Sequence, residues 1–151
     1  MGKHIITDDR AQQREARDTP LAVLLIEDSP LIRRSLTEAI DALGPWRVTA
    51  FAEAPDEAIA LLSSQRFHAV IIDLQLRHGS GIEVLAWLQE SGKASIHDEA
   101  FVAVLTNHAL PTYRERCQQY GVRHFFDKSL EFDRVLDALC RHARERQGER
   151  G

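Results

Sequence analysis

Asp73 stands directly after the apolar run Ala69-Val70-Ile71-Ile72. A carboxylate buried alone at the tip of such a run is costly, so its surroundings must either compensate it or use it. Other apolar runs of strand length end in similar chemistry. Leu21–Ile26 runs into Glu27-Asp28, the run from Ala100 ends at Thr106-Asn107, and the short His124-Phe125-Phe126 ends at Asp127-Lys128. If these strand tips meet, three carboxylates, a hydroxyl and an ammonium share one pocket. Clustered carboxylates repel one another, and an all-oxygen donor set without His or Cys suits Mg²⁺. A carboxylate is also a nucleophile toward phosphorus, giving an aspartyl phosphate. Such a transfer needs positive charge and hydrogen-bond donors on the phosphoryl oxygens, which a cation, Lys128 and Thr106 would supply. Taken singly, an Asp after a strand is an ordinary turn residue and a Lys an ordinary solvated one. The argument rests on their combination at several strand ends.

The elements that would place these groups alternate along the chain. Ser29 reads as a cap and Pro30 as the first turn of a helix whose apolar stripe is Leu31, Ile32, Leu36, Ile40 and Leu43, stopped at Gly44-Pro45. Trp46–Phe51 reads as a strand and Ala54–Ser64 as a helix, followed by a strand over His68–Asp73. A loop holding Gly79 and Gly81 opens a helix with Ile82, Val84, Leu85 and Leu88. Residues 92–99 read as a polar connection and Ala100–Asn107 as the fourth strand. Pro111–Gly121 is a short helix, 124–126 a fifth strand, and Phe132 to about Arg146 a last helix with Val135, Leu136 and Leu139. Strands apolar on both faces belong to parallel sheets covered by helices on both sides. With right-handed crossovers, the expected fold is α/β: a doubly wound, five-stranded parallel sheet. Ligands bind such sheets outside the carboxyl ends of the strands, where the reactive residues stand.

The 151 residues are enough for one domain, 44% hydrophobic and 28% charged. The formal charge of -4 gives no reason to expect nucleic-acid binding, and no run approaches a membrane span. Residues 1–19 read as a flexible polar arm, 20–141 as the domain, and 142–151 as a charged helix end. Cys117 and Cys140 match no metal or redox spacing and read as small helix side chains, and a reducing cytoplasm is the expected compartment.

In these residues the chain resembles the response-regulator receiver domains of two-component signalling, from about Pro20 to Arg141. Glu27 and Asp28 match that family's acidic pair, Asp73 its phosphoacceptor, Thr106 and Lys128 its hydroxyl and lysine, Gly81 the glycine opening the third helix, and Phe125 its switch aromatic. The resemblance implies a (βα)5 flavodoxin-like receiver fold, phosphoryl transfer from a sensor histidine kinase or histidine phosphotransfer protein, and hydrolysis of the acyl phosphate. It implies Mg²⁺ held by Asp28, Asp73 and the Gln75 carbonyl, with Glu27 acting through water. Gln75 and His108 fall at positions that tune dephosphorylation. Leu31 and Ile32 would face the donor, and Tyr113, Gln118, Phe125 and Phe132 a downstream protein. Phe125 is equally readable as a core aromatic. Homodimerisation stays open, as does a pseudo-receiver that binds proteins without turning over phosphate. Three departures touch the loops. Arg77 stands where the family usually has Pro, Ser129 replaces the Pro after the lysine, and Asn107 replaces a small residue.

"HGSGIEV" falls short of a dinucleotide fingerprint, because the third glycine position is Val84. Gln75 stands where a dehalogenase-type phosphatase would carry its second Asp, and the seven histidines show no ligand spacing.

Overall fold

The computed structural model describes residues 19–90, 96–107 and 109–150. Among these, five strands form one parallel sheet: β1 (Leu21–Ile26), β2 (Trp46–Ala52), β3 (Phe67–Ile72), β4 (Ile96–Thr106) and β5 (His124–Asp127), in the order β2-β1-β3-β4-β5. Five helices connect or follow them: α1 (Pro30–Asp41), α2 (Pro55–Ser64), α3 (Gly81–Glu90), α4 (Pro111–Gln119) and α5 (Phe132–Arg150). This is the doubly wound, flavodoxin-like arrangement expected from the sequence.

The two-sided burial of the central strands follows from their period of two. Val23 and Leu25 of β1 and Ala69 and Ile71 of β3 face α1 and α5, packing with Leu36, Ile40, Val135 and Leu139. Leu24, Ile26, Val70 and Ile72 face the opposite layer, with Ala58 and Leu62 of α2 and Val84, Leu85 and Leu88 of α3. The Ser29 hydroxyl caps α1 by accepting the Ile32 N–H, as its position before Pro30 predicts.

The structure differs from the sequence reading in four places. Gln75–Leu76 and Gly79–Ser80 form a two-stranded antiparallel ribbon inside the β3–α3 loop. β4 begins at Ile96, inside the stretch read as a polar connection, with an irregular register between Phe67 and Ala69 on its neighbour. α5 continues to Arg150. Leu31 does not join the apolar stripe of α1: it is exposed, while Ile32 packs inward. The expected arm over residues 1–19 lies, up to residue 18, outside the described residues, as does His108.

Candidate functional site

β1 and β3 are paired in register from Val23–Ala69 to Ile26–Ile72, so Glu27 and Asp73 emerge side by side at the carboxyl edge. The ladder continues into the site, because the Asp73 N–H donates to the Ile26 carbonyl at 2.9 Å and the Glu27 N–H to the Ala52 carbonyl at 2.9 Å. On the other side, Thr106 of β4 is paired with Asp127 of β5, and its carbonyl accepts the Lys128 N–H at 2.8 Å. Thr106 is fully buried. Register alone therefore brings the ends of β1, β3, β4 and β5 to one pocket.

Within it, the Lys128 Nζ donates to Asp73 Oδ2 at 2.8 Å and to Glu27 Oε1 at 2.5 Å. The other oxygens are held by backbone donors. Asp73 Oδ1 accepts the Gln75 N–H at 3.0 Å, Glu27 Oε2 the Ser29 N–H at 3.0 Å, and Asp28 Oδ2 the Arg77 N–H at 2.6 Å. Asp73 and Glu27 are buried and Lys128 is 8% exposed at its side chain, so these are charge-assisted bonds shielded from solvent. Burial pushes the Glu27 carboxyl above its usual range, outweighing the Lys128 bond and the Ser29 N–H that act to lower it. Burial acts to lower Lys128, but its bonds to Asp73 and Glu27 prevail and hold the ammonium above its ordinary value.

Glu27, Asp28 and Asp73 each offer one carboxylate oxygen, all within 4.8 Å of one another. Fully ionised, three carboxylates and one ammonium leave two negative charges, which a divalent cation would balance. The oxygen-only donor set and the partial exposure of Asp28 fit Mg²⁺. Gly81 permits the packing beneath the pocket: a Cβ there would collide with the Asp73 carbonyl oxygen and with Ile72, so the start of α3 could not lie against Asp73.

Gln75 and Arg77 sit on the exposed face of the loop after Asp73, and Asn107 is exposed with its side-chain oxygen accepting the Ser129 hydroxyl at 3.2 Å. No cis peptide occurs among the described residues, so the Lys128–Ser129 bond is trans, and Asp127 Oδ1 accepts the Ser129 and Leu130 N–H groups in its place. Phe125 is 7% exposed, packed with Val104, Cys117 and Val122, and the Arg114 guanidinium lies 4.7 Å from its ring centroid. Tyr113 and Phe132 are half-buried and Gln118 exposed. Sequence reasoning missed Leu130, 85% exposed beside Lys128, and Arg33, whose guanidinium reaches the Glu27 carbonyl. A lone apolar residue in a loop and an arginine on an amphipathic helix carry no signal by themselves.

A five-stranded doubly wound sheet with an acidic pocket and a buried lysine at its carboxyl edge defines a receiver-type module. The family model described as the response regulator receiver domain matches residues 23–140, and the chain belongs to that family. It is 26% identical over 120 residues to the polar-differentiation response regulator DivK of Brucella anthropi, covering 80% of this chain and 94% of that protein. It is 28% identical over 145 residues to the acid tolerance regulatory protein ActR of Rhizobium meliloti, covering 93% of this chain and 69% of that one. Among solved structures, the CheY-like receiver from Methanospirillum hungatei superposes with a TM-score of 0.71 at 18% identity, covering 87% of this chain and 99% of that one. A Burkholderia pseudomallei response regulator, described with a phosphorylated aspartic acid, a calcium ion and citrate, is 25% identical with a TM-score of 0.68, covering 87% of this chain and 73% of that one. The chain is thus a response-regulator receiver of two-component signalling, a family whose members act with histidine kinases and downstream targets and generally bind Mg²⁺. No helix among the described residues is long and apolar enough to cross a membrane.

Proposed function

We infer that this chain accepts a phosphoryl group on Asp73 from a phosphohistidine donor and passes the signal through a protein-binding surface. The observation that carries this is the buried Lys128 ammonium bonded to both Asp73 and Glu27, beside three carboxylate oxygens within 4.8 Å. The phosphorylated aspartate described in the Burkholderia pseudomallei relative supports it.

In the reaction an Asp73 carboxylate oxygen forms a bond to phosphorus as the phosphorus–nitrogen bond of the donor breaks. The electron pair leaves with the imidazole, which takes a proton from solvent. Lys128 stands against the oxygens where charge gathers, and Thr106 supplies a hydroxyl from the neighbouring strand tip. Glu27, Asp28, Asp73 and the Gln75 carbonyl would hold Mg²⁺, which supplies charge neutralisation on the phosphoryl oxygens when bound. By their places two residues beyond Asp73 and Thr106 in the sequence, Gln75 and His108 would tune hydrolysis of the acyl phosphate. Leu31 and Leu130 are exposed apolar groups on the loop and helix start flanking the pocket, and suit the donor's docking face. The receiver domain spans residues 20–141, with α5 running on into the charged end.

The test is incubation with acetyl phosphate and Mg²⁺ followed by intact-mass spectrometry. The wild type gains one phosphoryl group, while Asp73→Asn, nearly isosteric, stays folded and gains none. A wild type that gains none is a pseudo-receiver. An Asp73→Asn protein that still gains the group has another acceptor.

A further inference from the structure

Arg33 makes three contacts at once. Its Nη1 donates to the Glu27 carbonyl at 3.0 Å and lies 3.1 Å from Glu53 Oε1, and its guanidinium stacks 4.2 Å from the centroid of Phe51. The side chain is only 14% exposed, while Glu53 is about half exposed. Its place on α1 explains the reach. Pro30 is the first helical residue, so Arg33 lies one turn in, and helical side chains lean toward the N-terminus. Its backbone N–H donates to the carbonyl of Ser29, the cap of α1, and its side chain reaches two residues further back to Glu27. The Glu27 peptide is therefore fixed on every side. Its N–H is held by β2 through Ala52, its carbonyl by Arg33, and its carboxylate by Ser29 and Lys128.

We propose that Arg33 is a positioning residue for the cation site: it clamps the strand-to-helix junction that presents Glu27 and Asp28 to Asp73, and Glu53 neutralises its charge so that the clamp does not repel the divalent cation. The inference rests on the acceptor reading of the pocket and goes beyond it, because it assigns roles to Arg33 and Glu53, two residues outside the acidic cluster. The planar guanidinium of an arginine is suited to it. One terminal nitrogen, Nη1, serves both a carbonyl and a carboxylate while the flat face covers a ring, and a lysine has no such face. Groups that orient metal ligands from behind commonly carry about 10-fold or more in metal affinity.

The experiment is a Mg²⁺ titration of the full chain followed by amide NMR shifts, with thermal melting measured in parallel. Arg33→Ala weakens Mg²⁺ binding by about 10-fold. Arg33→Lys recovers only part of the loss. Arg34→Ala, which removes the same charge from the exposed side of the same helix where it pairs with Glu38, leaves Mg²⁺ affinity unchanged. Glu53→Gln leaves the guanidinium charge uncompensated, so it weakens Mg²⁺ binding at low salt and less at high salt, where screening hides the charge. An Arg33→Ala protein that melts lower but binds Mg²⁺ like the wild type has lost packing only and overturns the inference alone. If Arg33→Ala does not fold, Arg33→Gln and the salt dependence of Glu53→Gln decide: wild-type affinity in both overturns it. A wild type whose amides do not respond to Mg²⁺ overturns the acceptor reading and this inference with it.

Discussion

At the carboxyl edge of the sheet, Glu27, Asp73 and Lys128 are buried ions that satisfy one another through bonds of 2.5 and 2.8 Å. Toward the amino edge, polar side chains are kept by packing. His124 stacks on Phe101 at 4.4 Å between centroids, His142 meets Phe101 at 5.6 Å and Trp46 at 6.1 Å, and the His142 Nε2 has no hydrogen-bond partner among the described residues. The same strands supply both edges. One edge concentrates charge where a ligand would balance it, and the other packs imidazole rings against aromatic ones as flat filler. A charge held by another charge is exchangeable for a cation or a phosphoryl group; a ring held by a ring is not.

The largest effects break that contrast. Lys128→Met leaves Glu27 and Asp73 buried together without their counter-charge, and removing one member of a buried ion pair costs about 3–5 kcal/mol. Phe101→Ala empties a fully packed site at the other edge and costs a similar amount, about 3–5 kcal/mol. Urea unfolding alone does not separate the two; Mg²⁺ does. The cation takes over the role of the ammonium, so it raises the stability of Lys128→Met more than that of the wild type. Phe101→Ala gains no more than the wild type does. Equal Mg²⁺ stabilisation of all three proteins would sink the idea that the lysine and the cation answer the same charge.

A moderate effect sharpens the contrast through pH. His124 is held below the ordinary imidazole value first by burial and then by His142, Arg123 and Arg141, with Glu145 opposing them. Glu99 and Arg146 line the same hollow. A histidine with a lowered folded pKa binds fewer protons folded than unfolded, so its contribution is complete above the unfolded value of 6.5 and is lost as pH falls below it. Urea midpoints should therefore fall as the pH drops from neutral through this range, and His124→Gln should flatten that slope. A slope unchanged in His124→Gln places the pH sensitivity elsewhere.

The fold was legible because hydrophobic runs of strand length alternate with helical stripes, and the doubly wound order follows from the handedness of the crossovers. The acid pocket was legible for a related reason: once Glu27, Asp73, Thr106 and Lys128 end parallel strands, topology brings them together whatever the loops do. What stayed hidden depends on side-chain reach and on residues without periodicity. The start of β4 at Ile96 lies in a polar stretch that gains strand pairing only from its neighbour β3. The ribbon at Gln75–Ser80 is too short to show a period. Arg33, Glu53 and Phe51 are scattered over a helix, a loop and an edge strand, and only the folded backbone makes them one cluster.

The smallest expected effect concerns the path between the pocket and the α4–β5 face proposed for a partner. Phe lacks the hydroxyl that would give a tyrosine a polar reason to prefer one orientation, so burial and shape were the only forces the sequence offered for Phe125. The fold adds another, the Arg114 guanidinium 4.7 Å from the ring centroid. An exposed cation–π contact contributes about 0.5–1 kcal/mol, which corresponds to a roughly two- to five-fold bias between two ring positions. Because Arg114 belongs to α4 and Phe125 to β5, the contact also ties the ring to the helix, so inward packing of the ring and the position of α4 are favoured together. Arg114→Ala should release that bias without touching the pocket. Its Mg²⁺ affinity stays at the wild-type value, while the Phe125 ring signals shift toward a second environment by that modest factor. Thr106→Ala acts from the other end: it still accepts beryllofluoride, a phosphoryl mimic, at Asp73, but the mimic moves the Phe125 and α4 signals less than in the wild type. If the ring responds equally in the wild type, Arg114→Ala and Thr106→Ala, Phe125 is a core aromatic that carries no signal.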